Sequence, residues 1–380
     1  MPWHSAKQLG DGVICLAEAV EKVKHHKSLD DKPLDGKPLD VVGIGNAIVD
    51  ITSRESEEFI RTHKLNKTNM TLIDETRSDF LRSHLTQSNQ TPGGSAANTT
   101  VGVADLGGKV GFIGKVSEDP LGLAFMQSIR EAGVSFNVPP ADDGPATARC
   151  VIIVTPDALR TMNTYLGVSA YLYPKDIDPQ LVASAQVLYC EGYIWDVPIT
   201  KQAIRQAIGT AKAAGTKVSF TLSDTRCVER HLDEWKGLLD DSIDILFGNE
   251  EELAVLTGAN SLEESLDEVR QCCEVVCATR GREGSVVATP ADIFEIAPFE
   301  VSQRVDTTGA GDMYAAGFLY GYTSGLDLVA CGKLASLVAG QIIMHEGARS
   351  ERDLGEIVEQ ELGIVCGERQ ARVLEGVSGV

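Results

Sequence analysis

The sequence predicts an α/β fold: a mainly parallel central sheet covered on both faces by helices, with a small β-sheet inserted beside it. Three observations carry this expectation. From residue 40 onward, short apolar runs of strand type alternate with longer runs of helical period, the pattern of strands joined by crossover helices. Two runs, R-C-V-I-I-V-T-P and R-T-M-N-T-Y-L, are separated only by the turn-like P-D-A-L and read as a hairpin that interrupts this alternation. Glycine-rich segments fall where strand-like runs meet helix-like runs, which is where open parallel sheets hold ligands.

In chain order, residues 1–39 form an appendage. Leu9, Val13, Leu16, Val20 and Val23 give residues 9–24 one apolar helical face, and the repeat D-K-P-L-D-G-K-P-L-D reads as a linker. D-V-V-G-I-G-N-A-I-V-D-I is a buried strand and its exit. Residues 94–106 read as a helix, K-V-G-F-I-G-K-V as a strand and 119–132 as a helix. After the hairpin come strand 186–191, helix 199–214, strands 217–222 and 243–247 and helix 249–257. Strands 274–279 and 284–289 and two long helices, 311–323 and 327–346, complete the core.

Composition limits the function classes. With 380 residues, 43% of them hydrophobic and 23% charged, the chain has room for two domains or for one large α/β domain with an insertion. No apolar run approaches the ~18 residues of a membrane span. A formal charge of −21 repels nucleic acid and anionic membrane, so an anionic ligand must be gripped locally. The nine cysteines are scattered, and the cluster Cys272-Cys273-…-Cys277 lacks the paired spacing of a zinc site. With no signal peptide ahead of them, they fit reduced thiols in a cytoplasmic protein.

The strongest chemical signal is D-T-T-G-A-G-D-M-Y-A-A-G-F, residues 306–318. Gly309, Ala310 and Gly311 present almost no side chain before an apolar helical run. The unpaired N–H groups of a helix start then make an anion hole. Asp312 stands in the first turn, within reach of the same anion. For a phosphoryl group in transit, the amides stabilise developing charge and the carboxylate takes the proton of the attacking hydroxyl. The plainer alternative is an acid at a helix start beside a tight turn.

Four further segments add donors and acceptors. In T-P-G-G-S-A-A-N, Gly94 allows close approach, and Ser95 and Asn98 lie on one side of a first helical turn, suited to a polyol; N-capping by Ser95 is the alternative. In G-I-G-N-A-I-V-D, Asn46 and Asp50 lie at a strand's carboxyl end, where a carboxylate accepts two vicinal hydroxyls; turn chemistry is the alternative. In F-G-N-E-E-E-L, Asn249 and Glu252 share a helix face and suit Mg²⁺ and phosphates through water, or else form a simple N-cap. In A-T-R-G-R-E-G-S, Thr279 and the backbone can support a nucleotide, or the segment is only a hairpin turn.

Taken together, these segments resemble the PfkB carbohydrate kinase family, the ribokinase-like kinases. The resemblance rests on G-G-S-A-A-N-T-T-V-G-V-A-D-L-G-G-K-V-G-F-I-G-K-V-S-E-D-P-L-G (residues 93–122), on residues 306–318, and on N-x-x-E from Asn249 to Glu252 between them. It implies a three-layer α/β/α sandwich over residues 40–365 with a β-sheet lid from about 51–74 and 147–168, and leaves a tail at 366–380. It implies ATP-dependent transfer to a primary hydroxyl, with Asp312 as base and residues 309–311 as anion hole. Asn249 and Glu252 would organise Mg²⁺ and phosphates; Thr279, Gly281 and Gly284 would hold ATP. Asp306 and Thr308 match a loop that binds a monovalent cation such as K⁺ in some members.

The layout looks most like the adenosine kinase branch, since G-N-A-I-V-D is similar to its G-N-P-L-L-D. That implies an acceptor site of Asn46, Asp50, Gly94, Ser95 and Asn98, with Asp50 on a ribose diol and Tyr193 or Trp195 stacked on a purine. Departures keep sugars open as acceptors, among them ribose, fructose and 2-keto-3-deoxygluconate. Ala96-Ala97 replace Thr-Gln, and Thr308 replaces Asn. The lid strand reads A-T-A-R-C for P-T-G-T-C, which puts Arg149 in the acceptor site or on the lid edge. Glu191 near the base pocket is also unusual. Two other classes are weighed. A silent ligand-sensing relative would be free to lose the carboxylate or a glycine, and none is missing. A dinucleotide-binding dehydrogenase would need the third glycine that G-I-G-N-A lacks. Exposed lid edges allow a homodimer as well as a monomer.

Overall fold

The computed structural model describes residues 37–67, 70–157 and 159–367. The helix expected over 9–24 and most of the expected tail lie outside these residues. The chain runs from β1 (Leu39–Ile44) almost directly into β2 (Ile48–Arg54). Helices α1 (Glu57–Thr62) and α2 (Glu75–Ser83) flank β3 (Met70–Leu72). Next come β4 (Asn89–Gly93), α3 (Ser95–Asp105), β5 (Val110–Ile113), α4 (Pro120–Glu131) and the hairpin β6 (Ala148–Val154) and β7 (Arg160–Tyr165). The middle third holds α5 (Pro179–Ala183), β8 (Ala185–Glu191), α6 (Pro198–Ala213), β9 (Lys217–Thr221), α7 (Thr225–Arg230) and α8 (Leu232–Asp241). There follow β10 (Ile245–Asn249), α9 (Glu250–Thr257), α10 (Leu262–Val269), β11 (Val275–Thr279), β12 (Ser285–Ala288) and β13 (Ile293–Ile296). The described chain closes with α11 (Ala310–Thr323), α12 (Leu328–Ile342) and α13 (Leu354–Leu362).

Two sheets result. The central one has eight strands in the order β13-β12-β11-β10-β9-β8-β1-β5, parallel except where β12 and β13 fold back as a hairpin. Its strands are apolar on both faces because helices cover both: Val41, Val42 and Ile44 of β1 and Val187 and Leu188 of β8 have no exposed surface. The expected mainly parallel, helix-covered sheet is what forms.

The second sheet has five strands, β3-β7-β6-β2-β4. Its outer face packs Val151 and Ile153 against Ile60 of α1 and Leu81 of α2. Its inner face carries Ile48, Cys150, Ile152, Val154 and Met162. The lid was expected from 51–74 and 147–168; it also takes in β4, whose N-Q-T-P-G has no apolar alternation. A proline is tolerated there because β4 is an edge strand. Only Gly45, Asn46 and Ala47 separate β1 in the central sheet from β2 in the lid, so Asn46 sits in the hinge between the two layers.

Candidate active site

The site lies beyond the carboxyl ends of the central strands, under the lid, in a cleft of about 800 Å³. Helix α11 begins at its floor. Gly309 is the N-cap with φ +77°, and Asp312 falls in the first turn. The Ala310 N–H is used in a turn bond to the Thr307 carbonyl at 3.2 Å. The next first-turn amides, Gly311 and Asp312, belong to the positions that a helix leaves without an intrahelical acceptor.

Helix α3 starts beside α11, and this brings Ser95 and Asn98 onto Asp312. Ser95 Oγ donates to one Asp312 oxygen at 2.7 Å, and Asn98 Nδ2 donates to the other at 3.3 Å. Thr99 Oγ1 ties the helices further by donating to the Asp312 carbonyl at 3.2 Å. Burial pushes the Asp312 carboxyl up to about 6, and the two side-chain donors pull it back. The alternative reading, N-capping by Ser95, is not what forms: Gly94 is the N-cap and Ser95 serves the carboxylate.

Asp50, on the inner face of β2, looks into the same end of the cleft. Burial pushes it up to about 7; Arg349 and, more weakly, Arg160 oppose the rise, while Asp312 adds to it. Asn46 is held by Glu191, whose one oxygen accepts both its backbone N–H (2.8 Å) and its Nδ2–H (2.7 Å). The other Glu191 oxygen accepts the Ala96 N–H at 2.8 Å. One buried carboxylate therefore fastens the lid hinge to the start of α3. Burial pushes Glu191 up to about 7, against these three donors.

At the far end, Asn249 and Glu252 form a reciprocal capping box at the start of α9. Glu252 also accepts from Asn249 Nδ2 at 2.8 Å, and burial pushes its carboxyl up to about 7. Both residues face the cleft, as does Thr279. Gly281 and Gly284, expected to hold ATP, shape the turn after β11 and are not among the lining residues.

Three expectations change with the structure in view. Arg149 does not enter the acceptor site. Asp50 pairs with Cys150 across β2 and β6, so both face the cleft, and side-chain alternation turns Arg149 outward. There it donates to Ser78 Oγ at 2.8 Å, pairs with Asp79 at 2.6 Å and lies 4.9 Å over the Tyr165 ring. Of the two aromatic candidates, Tyr193 lines the cleft and donates to the Ser223 carbonyl at 3.1 Å, whereas Trp195 is core, packed on Phe220 and Trp235. Asp306 and Thr308 line the cleft but both meet Arg160 of β7: Asp306 through an ion pair, Thr308 Oγ1 as acceptor at 2.8 Å. Asp306 also accepts the N–H groups of Thr308 (3.0 Å) and Gly347 (2.9 Å).

Sequence reasoning missed Arg160 and Arg349. The period-two pattern of β7 carried the first signal: Arg160, Met162 and Thr164 share the inner face. No local pattern marked Arg349. Among the described residues, no three His, Cys, Asp or Glu side chains gather as a metal cluster, and no helix is long and apolar enough to cross a membrane.

A family model described as pfkB family carbohydrate kinase matches residues 63–353. The chain is 29% identical to a 5-dehydro-2-deoxygluconokinase of Shouchella clausii, over 84% of this chain and 94% of that protein. It is 40% identical, with a TM-score of 0.82, to the structure of a probable sugar kinase from Rhizobium etli, covering 86% of this chain and 99% of that one. It is 42% identical, with a TM-score of 0.81 and the same coverage, to the structure of an adenosine kinase from Sinorhizobium meliloti.

Proposed function

The chain belongs to the PfkB family of carbohydrate kinases, and from that premise we propose that it transfers the γ-phosphoryl group of ATP to the primary hydroxyl of a free sugar or sugar acid. The observation that carries the chemistry is Asp312, held by Ser95 and Asn98 at the start of α11. With both oxygens accepting, its carboxylate is aimed and ready to take the hydroxyl proton. The first-turn amides of α11 face the charge that develops on the transferred group. Asp50, Asn46, Ser95 and Asn98 supply acceptors and donors for the remaining hydroxyls. The lid keeps water from the transferred group.

Mg²⁺ fits this donor set only at one remove. Glu252 is committed to its capping box, so Asn249 and Glu252 suit an ion held through water and phosphate oxygens rather than a direct ligand. Such an ion would neutralise phosphate charge. Arg160 already supplies a cation at Asp306, where the family resemblance implied K⁺. The described cysteines are all free, which accords with a cytoplasmic setting.

A sugar or sugar acid is favoured by two features: the name of the Shouchella relative, and the exposed Arg304 at the cleft, suited to an acidic acceptor. Adenosine is the second reading. The apolar inner wall of Ile48, Met70, Cys150, Met162 and Leu166 favours it as a slot for a flat base, as does the Sinorhizobium match. ADP release with ATP and Mg²⁺ decides between them, over 5-dehydro-2-deoxygluconate, 2-keto-3-deoxygluconate, fructose, ribose, adenosine and inosine. Release with a sugar and none with a nucleoside is expected. Release with adenosine alone rejects the sugar reading.

A further inference from the structure

The segment after α12 brings one cation to the catalytic carboxylates from a position that no motif marks. Arg349 donates from Nε to Asn98 Oδ1 at 3.2 Å and from Nη1 to Ser128 Oγ of α4 at 3.2 Å. Its Nη2 is buried without a hydrogen-bond partner among the described residues. Its charge faces Asp50 first and Asp105 second, and burial lowers its own pKa to about 10. Holding a guanidinium under cover with an unmet N–H is costly, and buried Asp105 is only the second of the charges it faces.

We propose that Arg349 is a positioning residue for phosphoryl transfer, acting through Asn98 on the base Asp312. Arginine only donates, so Asn98 must turn its oxygen toward Arg349. Its amide N–H₂ is then left to face Asp312, which accepts at 3.3 Å. A reversed amide would set two donors against each other at Arg349 and aim an oxygen at a carboxylate. The same guanidinium is the largest charge opposing the rise of Asp50, so it favours an ionised, hydroxyl-accepting Asp50. The other charged and titratable groups around the two carboxylates are Arg160 and Cys150 from the lid, Glu191 and Tyr189 from β8, and Tyr193 just after it. The inference rests on Asp312 as the base.

The test is steady-state turnover of the full-length protein with its best acceptor, for R349M, R349K, N98A, R349M/N98A and D312N, each with its Tm. R349M should lower kcat roughly 10- to 100-fold, part of what a positioned base supplies. N98A should do the same, and the double variant should be no slower than N98A alone. The acid limb of kcat/KM should move to higher pH in R349M, since Asp50 loses the charge that most opposes its rise. R349K should recover the position of that limb but not kcat, because an ammonium has no fork to hold Asn98 and Ser128 together. Should R349M not fold, R349K and N98A carry the comparison. An equal further loss of kcat in the double variant, or a lowered Tm with kcat intact, overturns the inference. Near wild-type turnover in D312N fails at a different point: it removes the base and takes the Arg349 inference with it.

Discussion

Replacing Gly94 by alanine tests how tightly the lid hinge and α3 define the site. Gly94 has φ +97° and ψ 131°, a backbone region that side chains rarely adopt. An added Cβ would lie 2.2 Å from the Asn46 carbonyl oxygen, about 1 Å inside a normal carbon–oxygen contact. The obstacle is backbone, so the start of α3 or the hinge at Asn46 must shift. Strain at such a φ costs about 1–3 kcal/mol. Overpacking adds about 1–3 kcal/mol. At roughly 2 °C per kcal/mol for a chain of this size, the Tm should fall by about 4–12 °C. The shift also moves Ser95 and Asn98 away from Asp312, and a misplacement near 1 Å costs about 100-fold in turnover. Gly133→Ala is the control: φ is +84°, but its Cβ would meet nothing within 4 Å. It should show strain alone, with turnover unchanged. Scanning fluorimetry and kcat measured on both variants decide. The reasoning is refuted if Gly94→Ala matches Gly133→Ala in Tm and keeps kcat within twofold of wild type.

Two more outcomes separate stability from chemistry. Gly311→Ala adds a Cβ that meets nothing within 4 Å, at a helical position where alanine is favoured by roughly 0.5–1 kcal/mol. Its Tm should hold or rise while the KM for ATP rises or kcat falls, because the methyl enters the space beside the first-turn amides; unchanged kinetics would remove Gly311 from the anion hole. For pH, burial places Asp312 at about 6 and Asp50 at about 7, and both act as acceptors when ionised. The value of kcat/KM should therefore be level above pH 8 and fall as pH drops through 7 and 6, with a slope steeper than one proton. A fall that begins only below pH 5 would contradict both assignments.

Much of the layout was legible because it depends on local pattern. The buried strands of the central sheet announce themselves as unbroken apolar runs. Asp312 and its glycines form one contiguous segment at a helix start. Helix α8 was passed over between the strands expected at 217–222 and 243–247, although Trp235, Leu238 and Leu239 repeat at helical spacing. β4 was not legible, because an edge strand needs no apolar face. Other features were hidden because they join distant parts of the chain. Arg349 reaches Asn98 across 251 positions and Arg160 reaches Thr308 across 148. Glu191 looks like a stray acid in the sequence, yet its two oxygens hold Asn46 and Ala96. The Arg149 expectation failed on parity, since one step along β6 exchanges the cleft face for the outer face. Asn249 and Glu252 show the reverse case: the simple capping box is the geometry that forms, and it stands on the cleft wall.

As the proposed base, Asp312 takes the proton from the attacking hydroxyl. This role is tested most directly by Asp312→Asn, measured for ADP release with the best acceptor alongside ATP binding and Tm. An intact fold, retained ATP binding and turnover lower by about 100-fold or more, the contribution of a positioned base, are expected. Turnover within a few-fold of wild type would contradict that role.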